Sequence, residues 1–191
     1  SLTLEGFVWP AFKKKIEITT LELIDSRRLT GLNLQSPGPG AVTEVGFEAD
    51  EDVDASLKAW SDALDLLLAE LGWPSVARWI RRYNGGASLV IEAPLDALYA
   101  ATEMNEWAVA YVHGTAPNLK AASQTIEASL LEEANPALIV LQTAAKEHGV
   151  PFVWDDDEVS LGLGRHSKTW PARALPAPES VDWSTHKRIS F

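Results

Sequence analysis

Seven apolar side chains between positions 53 and 71 fall on one helical face: Val53, Leu57, Trp60, Leu64, Leu67, Leu68 and Leu71. This is the strongest periodic signal in the chain. A stripe that wide cannot stay in water, so the fold must supply a second layer to cover it. Asp52 or Asp54 can cap the start, where negative charge suits the helix dipole. Gly72 stops the helix, with Pro74 just beyond.

The segments around this helix supply the second layer. Residues 1–15 are aromatic and then basic, and read as an arm. Residues 16–25 are rich in β-branched and aliphatic side chains and read as a strand. Gly31, Pro37, Gly38, Pro39 and Gly40 mark a long loop over 27–40. Val42, Val45 and Phe47 indicate a second strand over 41–48, paired with the first as a hairpin. A short helix is expected from Pro74 through Trp79 to Tyr83, broken by Asn84-Gly85-Gly86. A strand is expected over 87–92. Pro94 then opens a helix with Leu95, Leu98, Met104, Ala108, Tyr111 and Val112 on its apolar side, ended by His113-Gly114. The expected order is β-β-α-α-β-α, an α+β or α/β unit with a small mixed sheet and packed helices.

Residues 115–119 read as a linker. Helices follow over 120–134 and from Asn135-Pro136 to His148-Gly149, then short strands over 150–154 and 159–163. After Lys168, with Pro171, Pro176 and Pro178, periodicity is lost. The helix–Gly–strand order over 135–154 resembles one αβ unit of a second, incomplete α/β domain. The expected division is therefore a front domain over 1–114 and a partial segment with a Pro-rich tail over 115–191.

Charge narrows the partner classes. The chain has 191 residues, 27 acidic against 16 basic, and a formal net charge of −11. Such a surface repels phosphate backbones and anionic membranes, so neither nucleic acid nor membrane is the expected partner. It attracts cations. With no Cys, thiolate catalysis, disulfides and Cys-ligated zinc are excluded, and a reducing cytoplasm fits. No apolar run reaches the ~18–20 residues of a membrane span, and the opening Ser1-Leu2-Thr3-Leu4-Glu5-Gly6 lacks the pattern of a signal peptide.

Chemistry-bearing motifs are sparse. Residues 162–169 fall one position short of a Walker A loop, because Ser167 stands where Gly is needed; a tight turn is the better reading. Asp155-Asp156-Asp157-Glu158 has the oxygen chemistry for a hard cation, but reads better as a solvated turn. His113, His148, His166 and His186 are scattered, without metal-ligand spacing. Asp96, Glu103 and Glu106 fall on one expected helix at near multiples of a turn. They are candidates for holding a cationic ligand, against the plainer reading of an exposed acidic face. No nucleophile–base pair is visible, so no catalytic residue and no metal ligand is assigned.

Two segments carry a family resemblance. Arg27-Arg28-Leu29-Thr30-Gly31-Leu32-Asn33-Leu34, followed by Ala41-Val42-Thr43-Glu44-Val45, resembles the opening of cyanophycin synthetases, with Leu32 in place of the usual Pro. Thr143-Ala144-Ala145-Lys146-Glu147-His148-Gly149-Val150-Pro151 resembles the helix and strand opening an ATP-grasp module. Ser160-Leu161-Gly162-Leu163-Gly164-Arg165-His166 is similar to the strand and turn that follow, though shorter. The resemblance implies the N-terminal region of a Mur-ligase-type, ATP-dependent amide-forming enzyme, acting in substrate or polymer docking. It implies no cofactor on this segment; ATP and Mg belong to a ligase domain further along. Some family members carry a His-x-x-Glu-His metal site, and the stretch nearest to it here, Leu89-Val90-Ile91-Glu92-Ala93, has no His. The candidate ligand contacts are Arg27, Arg28, Asn33, Asp96, Glu103 and Glu106. The expected partner is a cationic amino acid or peptide-like substrate. The alternative is a stand-alone interaction or scaffold module, a homo-oligomer built on an exposed patch of its eight Trp.

Overall fold

The computed structural model describes residues 21–31, 33–48 and 52–187. The expected N-terminal arm and the first half of the first expected strand lie outside these residues. The fold is α+β: a four-stranded antiparallel sheet with helices on one face, and a three-stranded antiparallel sheet.

The large sheet contains β1 (Leu21–Leu29), β2 (Gly40–Phe47), β3 (Arg78–Tyr83) and β4 (Gly86–Glu92), in the order β1-β2-β4-β3. β1 and β2 form the expected hairpin, with a register shift between Leu23 and Asp25. Helix α1 (Val53–Leu71) matches the apolar stripe: Leu57, Trp60, Leu64, Leu67 and Leu68 are all buried. Asp52 caps it by accepting from the Ala55 amide at 3.1 Å, and Gly72 ends it in the left-handed region at φ 63°. Helix α2 (Leu98–His113) lies beside α1 and over β1 and β2. Ala41, Val45, Ala87, Leu89 and Ile91 face these helices in one continuous core. Val42 and Val90, register partners in β2 and β4, are equally buried but lie outside that core cluster, on the opposite side of the sheet. Gly40 permits the close approach of β2 and β4: a Cβ there would stand 2.1 Å from the Ile91 carbonyl oxygen.

In the large sheet one element differs from expectation. Residues 78–83, expected within a helix, form β3, so the order is β-β-α-β-β-α. Asn84-Gly85 does not break a helix; it turns the β3–β4 hairpin, with Gly85 at φ 80°.

Helices α3 (Leu119–Glu133) and α4 (Pro136–His148) begin at Asn118 and Asn135, whose side chains accept from Ala121 and Leu138 amides. The main core runs on through them, taking in Ala122, Ile126, Leu138 and Leu141, and reaches Val159 and Leu161. The small sheet contains β5 (Phe152–Asp155), β6 (Glu158–Leu161) and β7 (Lys168–Pro171), in sequential order. β7 lies where periodicity was expected to end. It follows the Gly162–Gly164 turn, where both glycines have positive φ. The described part of the Pro-rich tail carries the single turn α5 (Trp183–His186). Trp183 stacks on His148 with ring centroids 4.8 Å apart, and buried His186 places Nδ1 2.7 Å from the His166 carbonyl oxygen.

Candidate functional site

An open groove of about 1130 Å³ lies between the end of the large sheet and the small sheet. One wall is the β1–β2 loop, with Thr30, Gly31 and Pro37–Pro39, together with Trp73 and the chain entering β3. The opposite wall comes from the segment joining α4 to β5, with Val150, and from β5, with Phe152 and Trp154. The last turns of α4 close the third side with Thr143 and Lys146.

The groove is apolar with two charges. Glu92 ends β4, and its Oε1 would lie 3.1 Å from a Cβ built on Gly38, so the carboxylate rests against the loop backbone. Lys146 stands in the last turn of α4, where a cation suits the helix dipole. Both are exposed, and neither has an ion pair or side-chain hydrogen bond among the described residues. The Trp154 indole Nε1 is buried in the groove wall with no hydrogen-bond partner. A buried donor without a partner is uncommon in a native fold.

The loop wall is held chiefly by Asn33, with Ser36 Oγ donating to the Gly38 carbonyl at 2.7 Å beside it. Asn33 Oδ1 accepts the Gln35 and Ser36 amides, each at 2.7 Å. Its Nδ2 donates to the carbonyls of Gly31 at 2.9 Å and Gly38 at 3.2 Å. Asn33 thus ties the start of the loop to its end. It also borders a smaller recess shared with Trp79, Ile80 and Arg81 of β3.

The other sequence-derived candidates do not converge. Arg27 donates to Asp25 at 2.6 Å and to Glu44 at 2.9 Å; Glu44 also accepts from Ser88 Oγ at 2.8 Å. The hydrogen bond from Asp25 leads the causes that raise the Arg27 pKa above its ordinary value. Desolvation, and then the nearby Glu44 charge, push Tyr83 up. Arg28 makes a bidentate pair with Asp156 at 3.0 and 2.9 Å, so that part of the acidic turn is engaged rather than merely solvated. Asp96 does not share a helix with Glu103 and Glu106. It lies in a separate 3-10 turn, with non-helical φ and ψ, and accepts the Asn135 amide at 3.0 Å. Glu103 and Glu106 are half-buried on α2, and Glu103 Oε2 is buried without a partner. None of the six lines the main groove, although Thr30 and Gly31 follow Arg28 into its wall. Sequence reasoning passed over Glu92, Lys146, Trp73 and Trp154 as ligand contacts, because nothing local marks residues that meet only in the folded chain.

No group of three or more His, Cys, Asp or Glu among the described residues is placed to hold a metal ion. No helix among them is long and apolar enough to cross a membrane. No family model matches the chain, and no curated protein matches it.

Proposed function

We propose that this chain is a docking region for an amino-acid or peptide-like substrate of a cytoplasmic, ATP-dependent amide-forming ligase of the Mur type, and that the groove is where the substrate sits. One observation carries the reading. Both segments that resemble cyanophycin synthetases, one beginning at Arg27 and the other running from Thr143 to His166, reach the groove: Thr30 and Gly31 from the first, and Thr143, Lys146, Val150, Pro151 and Leu163 from the second.

The chemistry supports it. The volume is just above the ~300–1,000 Å³ typical of small-molecule sites, room for several residues of an extended peptide. Trp73, Phe152 and Trp154 offer apolar and aromatic surface for the ligand's body. Glu92 would meet an amine or guanidinium, and Lys146 a carboxylate. On this reading the ligation chemistry, with its ATP and Mg, belongs to a domain outside these residues, and this region contributes binding only.

The scaffold alternative draws less support. Each of the seven Trp among the described residues is buried or half-buried, so they form no exposed aromatic patch. The test is calorimetric titration with a short arginine-containing peptide at low salt, using the parent chain and Glu92→Gln. Saturable binding weakened about tenfold by the variant, a loss of ~1.4 kcal/mol, supports the reading. No heat at millimolar peptide would overturn it.

A further inference from the structure

We infer that the Arg28–Asp156 ion pair is a clasp across the mouth of the groove, and that the turn between β5 and β6 is the part that moves when it opens. The pair joins residues 128 apart in sequence. Thr30 and Gly31, just after Arg28, line one wall, and Val153 and Trp154, just before Asp156, line the other. The bidentate contact therefore bridges the two walls at the rim.

No strand of the small sheet packs extensively against a strand of the large one. The small sheet is fixed through the face that carries Val159 and Leu161 in the core, with their register partners Trp154 and Phe152 packed against it, and by Asn135 Nδ2, which donates to the Ala172 carbonyl at 3.1 Å. Asp155, Asp156, Asp157 and Glu158 at the turn are all exposed.

Two opposed terms set the balance. The clasp favours closure, but its side chains are 37% and 52% exposed, so it is weak and screened by salt. The Trp154 Nε1 donor, buried without a partner two residues from Asp156, disfavours closure; separating the walls would give it water. At the rim one exposed pair is thus set against one unsatisfied donor, while the packing of Phe152 and Trp154 on the core stays in place below it, so the turn is the part poised to open. The consequence, that the clasp gates substrate entry, rests on the docking reading above; the clasp itself does not.

The test measures the distance across the rim by pulsed electron resonance. The chain has no Cys, so spin labels placed by Leu34→Cys, 86% exposed in the loop, and Asp157→Cys, in the turn, report that distance alone. The parent at low salt should give a narrow distribution. Arg28→Gln, or the parent in 1 M NaCl, should shift it to longer distances and broaden it. Arg28→Gln is preferred to an Asp156 variant because the neighbouring acids of the turn could replace Asp156. The exchanged pair Arg28→Asp with Asp156→Arg should restore the narrow distribution, and Trp154→Phe should hold it narrow at higher salt. A low-salt distribution that is already broad, or one unchanged by both Arg28→Gln and salt, would overturn the clasp. The salt arm needs no variant at position 28, and neither arm needs a ligand. A positive result with null calorimetry would leave the clasp standing and the docking reading fallen.

Discussion

The indole Nε1 of Trp60 donates to Oδ1 of Asn105 across 2.9 Å, in a core where both side chains are completely buried. Asn105 Nδ2 in turn donates to the Leu89 carbonyl at 2.8 Å. One amide thereby ties α1, α2 and β4 together. Asn105→Ala would leave the Trp60 Nε1 donor buried without a partner, at about 1–3 kcal/mol. The urea midpoint should fall accordingly. A loss below about 0.5 kcal/mol would mean water replaces the amide.

The two adjacent arginines of β1 should not be equivalent. Arg27 serves Asp25 and Glu44, and the Glu44 side chain is only 14% exposed. Removing Arg27 leaves that carboxylate partly desolvated, whereas Asp156 without Arg28 simply returns to water. Arg28→Ala should cost about 0–1 kcal/mol, as for an exposed pair. Arg27→Ala should cost about 1–2 kcal/mol, short of the ~3–5 of a fully buried pair. Equal denaturant midpoints would contradict this.

Asn33→Ala should loosen the β1–β2 loop while sparing the sheet, because its hydrogen bonds stay within residues 31–38. Amide exchange at Gln35 and Ser36 should accelerate at least tenfold, with β2 amides unchanged. Unchanged exchange at Ser36 would show that the prolines alone hold the loop.

Asp182 caps α5 through the Thr185 and Ser184 hydroxyls, each at 2.7 Å, and the Thr185 amide. These bonds, the Thr185 hydroxyl first, lower its pKa from 3.8 to about 2. A depressed folded-state pKa means the cap's contribution is complete above about pH 4 and is lost as pH falls through about 2. The 13C carboxyl resonance of Asp182 should titrate near pH 2. A midpoint near 4 would mean the cap does not persist in solution.

Elements that announce themselves locally were legible in the sequence. The α1 stripe, its Asp52 cap and Gly72 stop, the β1–β2 hairpin and the α4 start at Asn135-Pro136 need only neighbours a few residues away. β3 misled because Val76, Trp79, Ile80 and Tyr83 are spaced by three, one and three residues, a helical pattern. Pairing with β4 overrides that pattern, and the Asn84-Gly85 hairpin signal was the better guide. β7 and the tail were invisible because their anchors, Trp183 on His148 and His186 on His166, are contacts between distant segments. The site followed the same logic. Arg27, Arg28 and Asn33 were recognisable as residues with work to do, but Arg27 engages Glu44, Arg28 engages Asp156 and Asn33 engages its own loop. Glu92 and Lys146, 54 residues apart, become neighbours of one groove only after folding.

The central claim is that a charged, peptide-like ligand occupies the groove between the two sheets. The most direct measurement is an amide and indole 1H–15N correlation spectrum recorded while an arginine-containing peptide is titrated in. The account predicts saturating shifts at Thr30, Gly31, Thr143, Lys146 and the Trp73 and Trp154 indoles, with the α2 amides of Glu103 and Glu106 unmoved. Shifts confined to α2, or none at saturating peptide, would contradict it.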